Sequence, residues 1–149
     1  VIPDKTMLKM RARTPALQRK TGPVRGRRIL LIDPDPASRE IGTLLMRYFG
    51  YEVQAAATYH EGMHLARVTQ PTAVVSELVE DRAGERTIVE ELGSHPATIG
   101  IPVLVLTSHV LPEDRERAAA SGAVCFLAKP CDGQHLRRVL AETVGDRRG

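Results

Sequence analysis

The sequence predicts an α/β fold: a doubly wound, five-stranded parallel sheet with helices on both faces. Three observations predict it. Short continuous apolar runs, such as Ile29-Leu30-Leu31-Ile32 and Val103-Leu104-Val105-Leu106, have the pattern of strands buried on both faces of a parallel sheet. Segments with helical apolar spacing alternate with these runs. Polar residues stand directly after the runs, at the strand ends where doubly wound sheets bind ligands.

The elements follow in order. Ile29–Ile32 is the first strand, and Asp35 with Pro36 supplies an N-cap and a first-turn proline. Ile41, Leu44, Leu45, Tyr48 and Phe49 recur at helical spacing, and Gly50 closes that helix. Glu52–Ala56 reads as a strand and Thr58–Val68 as a helix. Ala73–Ser76 is an apolar strand ending at Glu77, followed by a weaker helix over Thr87–Leu92. Val103–Leu106 is the most hydrophobic strand, and Pro112–Ala120 is helical. Val124–Ala128 is the fifth strand, and Gln134–Val144 the final amphipathic helix. Right-handed crossovers then place helices on both faces.

Charge divides the chain. Residues 1–28 hold nine Lys/Arg and one acid, whereas residues 29–149 hold twelve Lys/Arg and seventeen acids. The overall charge of +3 therefore belongs to the first stretch and does not describe a basic domain. That stretch contains Pro3, Pro15, Gly22, Pro23 and Gly26 without a sustained apolar period. It reads as a basic arm or linker, disordered or with a short helix near Met7–Arg13. The expected organisation is the arm over 1–28, one domain over 29–145 and a tail over 146–149. The arm is the one place where contact with nucleic acid is entertained. Five aromatics and no tryptophan otherwise speak against a stacking platform for nucleic acid.

Cys125 and Cys131 are too few for a disulfide framework and lack zinc-site spacing, so they read as reduced thiols of a cytoplasmic protein. No apolar run approaches the roughly 20 residues of a membrane helix, so no membrane partner is expected.

Four polar features fall at strand carboxyl ends: Asp33 to Asp35, Glu77, Thr107-Ser108 and Lys129. They bring carboxylates, a hydroxyl and an ammonium to one pocket. Such a pocket suits a cation, or a phosphoryl group neutralised by Lys129.

Ile29–Val144, about 116 of 149 residues, resembles the receiver domain of response regulators, the CheY-like module of two-component signalling. The matching pieces are Leu30-Leu31-Ile32-Asp33, Gly50-Tyr51-Glu52-Val53, Pro71 to Leu78, Ile101 to Ser108, and Gly122-Ala123 leading to Phe126-Leu127-Ala128-Lys129-Pro130. The resemblance assigns positions residue by residue. Asp33 matches the first member of the acidic pair that binds Mg²⁺, and Pro34 stands where the direct metal ligand is expected. Glu77 occupies the phosphoacceptor position, which is aspartate in the family. Thr107 and Lys129 match the two groups that meet the phosphoryl group. Phe126 matches the aromatic switch position, and Pro130 the position preceded by a cis peptide bond.

Two groups have changed, the ligand and the acceptor. Proline has neither carboxylate nor N–H. Glutamate is one methylene longer than aspartate, and its carboxylate either mimics a phosphorylated aspartate or neutralises Lys129. Asp35 is a substitute ligand only if it is released from the N-cap. No cofactor is expected, and Mg²⁺ binding at Asp33 is weakened or lost.

The preferred function is that of an atypical receiver in phosphorelay signal transduction, acting by protein–protein contact without classical aspartyl phosphorylation, and not an enzyme. The resemblance implies a partner face made of the fourth helix, fifth strand and fifth helix, near Ser108, His109, Phe126 and Cys131. It would meet a histidine kinase, another regulator or a second copy as a homodimer. The chain reads as a stand-alone receiver or a piece of a larger regulator. One alternative keeps Mg²⁺-dependent phosphorylation on the remaining carboxylates. A second is a zinc hydrolase through His60-Glu61-Gly62-Met63-His64. It is disfavoured because Met63 and Ala66 are the better core positions, leaving His60 and His64 towards solvent with no evident third ligand.

Overall fold

A computed structural model describes residues 7–9 and 27–145. The elements are β1 (Met7–Lys9), β2 (Arg28–Ile32), α1 (Pro36–Tyr48), β3 (Glu52–Ala56), α2 (Tyr59–Thr69), β4 (Ala73–Ser76), α3 (Ile88–Ser94), β5 (Val103–Thr107), α4 (Pro112–Ala120), β6 (Cys125–Ala128) and α5 (Gly133–Val144). The sheet order is β1-β6-β5-β4-β2-β3. The five strands β2 to β6 are mutually parallel, as expected for a doubly wound sheet. Strand order reverses between β2 and β4, so the crevice beyond their carboxyl ends is the natural ligand position.

The apolar runs face two ways because strand side chains alternate. Leu30, Ile32, Val74, Val105 and Phe126 pack with α2, α3 and α4 residues such as Met63, Leu92 and Ala118. Ile29, Leu31, Val75, Leu104 and Leu127 pack on the other face with Met46, Leu136, Val139 and Leu140. Burial on both faces is what a continuous apolar strand requires, since either side exposed would cost about 25 cal/mol per Å².

Local chemistry sets the helix starts. Asp35 caps α1 by accepting the Ser38 N–H at 2.8 Å, and Thr58 caps α2 through Glu61 N–H. Thr87 and Glu90 form a reciprocal capping box at α3. Two glycines allow close approaches. A Cβ at Gly62 would fall 2.8–2.9 Å from side-chain carbons of Ile88 and Ile32, so glycine lets α2 sit tightly on β2 and α3. A Cβ at Gly93 would fall 2.3 Å from the backbone carbonyl of Ser121, where the end of α3 meets the end of α4.

Two sequence expectations need correction. The first concerns the basic arm: Met7–Lys9, expected in a short helix, is a strand. It pairs antiparallel with β6, with Met7 opposite Leu127, Leu8 opposite Phe126 and Lys9 opposite Cys125. Edge pairing on β6 outweighs a helical preference that three residues cannot express alone. The rest of the expected helix, and the expected tail at 146–149, lie outside the described residues.

The second concerns α1. Ile41, Leu44 and Tyr48 share the expected helical spacing but are 65%, 59% and 83% exposed. The inward stripe runs instead through Gly42, Leu45, Met46 and Phe49. Two apolar stripes compete on this helix, and the small Gly42 lets the second one approach Leu31.

Candidate functional site

The parallel ladder continues past the strand ends and fixes the site backbone. Asp33 N–H bonds Ala56 O, Glu77 N–H bonds Ile32 O and Lys129 N–H bonds Thr107 O, at 2.9–3.0 Å. These bonds set Asp33, Glu77, Thr107 and Lys129 at the carboxyl end of one sheet. The Lys129–Pro130 peptide bond is cis.

Asp33 is the most heavily bonded of these side chains and only 4% exposed. Its Oδ1 accepts the Asp35 N–H at 3.0 Å. Its Oδ2 accepts the Ser38 hydroxyl at 2.8 Å and the Lys129 ammonium at 2.9 Å. Lys129 also donates to Ser38 Oγ at 3.0 Å. The result is a closed triangle of carboxylate, hydroxyl and ammonium. Charge-assisted bonds of this kind are about twice as strong as neutral ones.

Glu77 is differently placed. Its Oε1 accepts the Leu78 N–H at 3.0 Å, folding the side chain towards its own backbone. Its Oε2 is 3.7 Å from Lys129 Nζ, an ion pair without a short hydrogen bond. The sequence left Glu77 as either a mimic of a phosphorylated aspartate or a neutraliser of Lys129; in the geometry Asp33, at 2.9 Å, is the nearer counter-ion and Glu77, at 3.7 Å, the farther. Thr107 is fully buried, and its Oγ1 accepts the His109 N–H at 2.9 Å, tightening the loop after β5.

Asp35 stays at the N-cap, with its Oδ2 committed to Ser38 N–H. Pro34 is exposed, and Arg39 donates to the carbonyls of Asp33 (2.9 Å) and Pro34 (3.3 Å), pinning this turn from outside. Phe126 is completely buried, with the Arg115 guanidinium 5.2 Å from its ring centroid. Cys131 follows the cis proline, and burial raises its thiol pKa.

Sequence reasoning missed Ser38, Arg39 and Arg115. Ser38 had a readable signal: it is the third residue after the Asp35 cap, one turn above the end of β2. Arg115 had none, because its contact depends on how α4 lies over β6.

Two carboxylates and one ammonium leave this pocket with a single net negative charge. Both oxygens of Asp33 already accept protein donors, and the Lys129 ammonium lies 2.9 Å from Asp33 and 3.7 Å from Glu77. A magnesium site needs near-octahedral oxygen ligation, and here the Asp33 oxygens are shared with protein donors. His60 and His64 are exposed, and no group of three or more metal-ligating side chains occurs among the described residues. Nor is any helix among those residues long and apolar enough to cross a membrane.

A second charged cluster ties α3 to α4. Arg117 Nε donates to Glu90 Oε2 at 2.9 Å, and its Nη2 donates to Glu90 Oε1 at 3.0 Å and to the Glu85 carbonyl at 2.9 Å. The Arg117 hydrogen bond holds the Glu90 carboxyl below its ordinary range.

Known proteins similar to this chain point to one family. A family model described as the response regulator receiver domain matches residues 29–141. The DNA-binding dual master transcriptional regulator RpaA of Synechocystis is 35% identical over 115 residues, covering 76% of this chain and 48% of the relative. Protein PilH of Pseudomonas aeruginosa is 26% identical over 113 residues, covering 76% of this chain and 93% of PilH. The chain thus spans about half of RpaA, and 15% of the Myxococcus xanthus gliding motility regulatory protein.

Among solved structures, the receiver domain of the sensor histidine kinase PA1611 from Pseudomonas aeruginosa superposes with a TM-score of 0.71 at 25% identity. The match covers 81% of this chain and 99% of that domain, which holds magnesium in its active site cleft. Chemotaxis protein CheY4 of Vibrio cholerae has a TM-score of 0.70 at 23% identity, covering 78% and 98%. With its five parallel strands, its strand-end Asp33, Thr107 and Lys129, and a family match over most of its length, the chain belongs to the response regulator receiver domains of two-component signalling.

Proposed function

We propose that this receiver signals through protein contact without an aspartyl phosphorylation cycle, and that it is not an enzyme. The observation that carries the reading is the commitment of Lys129. Its ammonium is held by Asp33 and Ser38, whereas the carboxylate at the end of β4 is a glutamate turned to its own backbone. Phosphoryl transfer needs a nucleophile in line and a cation to neutralise developing charge. Glu77 and Pro34 weaken both. The PA1611 domain holds magnesium in its cleft; here we read the corresponding capacity as weakened or lost, because Lys129 already neutralises Asp33.

The proposed partner face is α4, β6 and α5, with Ser108, His109 and Cys131 at its margin. A histidine kinase, another regulator or a second copy would dock there, in the cytoplasm. The organisation proposed is a receiver over 29–145 preceded by a basic arm, the one stretch suited to acidic partners.

Intact-mass measurement after incubation with acetyl phosphate and Mg²⁺ tests this. The native chain should gain no phosphate. Glu77→Asp combined with Pro34→Asp should gain one in a Mg²⁺-dependent manner, and neither single variant should. A stoichiometric, Mg²⁺-dependent phosphate on the native chain would overturn the reading in favour of a phosphorylatable receiver.

A further inference from the structure

Among the described residues, β1 pairs with β6 alone. It can leave without separating any other pair of strands. What it covers is the outer edge of β6, whose N–H and C=O groups would otherwise face water or another chain. We propose that this edge is a strand-accepting surface, filled by Met7–Lys9 of the same chain and open to the same strand of a second copy. The chain would then form a strand-exchanged dimer.

Polarity and reach support the exchange. Antiparallel pairing puts Lys9 beside Cys125, at the amino end of β6 and so at the same sheet end as Arg28 of β2. From β1 to β2 the sheet crosses β6, β5 and β4, which is four strand spacings or about 19 Å. The 18 peptide steps between Lys9 and Arg27 span up to about 60 Å when extended. The tether is therefore roughly three times as long as pairing within one chain demands, and it can set the strand on a neighbour.

The bonds made within one chain and between two chains are the same, so concentration decides between them. A tether of this length supplies an effective concentration of at most the order of mM, and exchange begins to compete as the protein approaches that value. The occupant is a second copy because the edge already accepts this backbone segment in a defined register. The exchanged strand would join the two copies at β6, inside the proposed partner face. The inference does not depend on whether the pocket takes phosphate.

The register supplies a direct test. Residues directly opposite in an antiparallel pair have Cα atoms about 4.5–5.5 Å apart, within disulfide range. In the full chain, Lys9→Cys with Cys131→Ser places a thiol opposite Cys125. After oxidation, non-reducing electrophoresis separates a looped monomer from a covalent dimer. The dimer should rise from about one per cent near 10 µM protein to roughly half near 1 mM. Adding Leu8→Pro, which removes a backbone N–H from the strand, should abolish both products. Unchanged hydrogen-exchange protection of β2 to β5 shows that each variant is folded. Absence of any crosslink, a looped monomer alone at both concentrations, or a dimer that survives Leu8→Pro would each overturn the proposal.

Discussion

Asp33 and Glu77 stand on neighbouring strands, at the same end of the sheet and beside the same lysine, yet they are held in opposite ways. Asp33 accepts three donors from outside its own residue: a backbone N–H, a hydroxyl and an ammonium. Glu77 accepts the N–H of the next residue and meets Lys129 only at 3.7 Å. The difference is one of reach and neighbourhood. The α1 start brings Ser38 and the Asp35 N–H to the short side chain of Asp33. The longer Glu77 side chain can fold onto the backbone that follows it. Position at a strand end thus does not fix a carboxylate's role; the donors supplied by the next helix do.

Four substitutions break or sharpen this contrast. Asp33→Ala should have the largest effect, because it removes the nearest counter-ion of a largely buried ammonium and frees two further donors. The cost should be about 3 kcal/mol, or roughly 10 °C in melting temperature. Lys129→Met should cost less, about 2 kcal/mol by denaturant unfolding, since Asp33 keeps its backbone and hydroxyl donors. Should Lys129→Met cost more than Asp33→Ala, the lysine would be anchored by more than the triangle around Asp33.

Arg117→Ala calibrates both against a pair outside the pocket, with an expected loss of at most about 1 kcal/mol at neutral pH. The sign with pH follows from Glu90. Its carboxyl is held low in the folded state by the hydrogen bond from Arg117. The stabilisation is therefore present above the ordinary carboxylate range and disappears as pH falls through the depressed folded value. Unfolding curves of the native chain and Arg117→Ala should converge on acidification; a constant gap down to full protonation would contradict that assignment. Glu77→Gln should have the smallest effect, below about 1 kcal/mol, because an amide oxygen can keep the Leu78 bond. A loss as large as that of Asp33→Ala would erase the distinction between the two acids.

Four of the five parallel strands were legible as apolar runs, while Glu52–Ala56, with Glu52 and Gln54 in it, carried a weaker pattern; the first helix start was legible because Asp35 is a good cap. Site positions were legible for the same reason: a polar residue directly after a buried run has nowhere to lie but the strand end. Partner choice was not. Whether Lys129 meets Asp33 or Glu77 depends on the approach of α1, which no local pattern encodes. The outward turn of Ile41, Leu44 and Tyr48 escaped because two apolar stripes on one helix satisfy the same period. Strand β1 escaped because three residues carry no periodicity, and its partner lies more than a hundred residues away.

The near-contact of Gly93 with the Ser121 carbonyl also bears on how motion could spread. The two helix ends meet with no room for even a methyl group, and one turn earlier Arg117 fastens the same helix to Glu90 and Glu85. A bearing surface and a tie on one side leave α4 little freedom to slide past α3. Displacement of α4 should therefore take the form of a tilt with its fulcrum near Ser121, the amino end swinging over Phe126 while the carboxyl end stays put. Gly93→Ala would act as a wedge at that fulcrum, prising the helices apart where they are closest and loading the Arg117 tie.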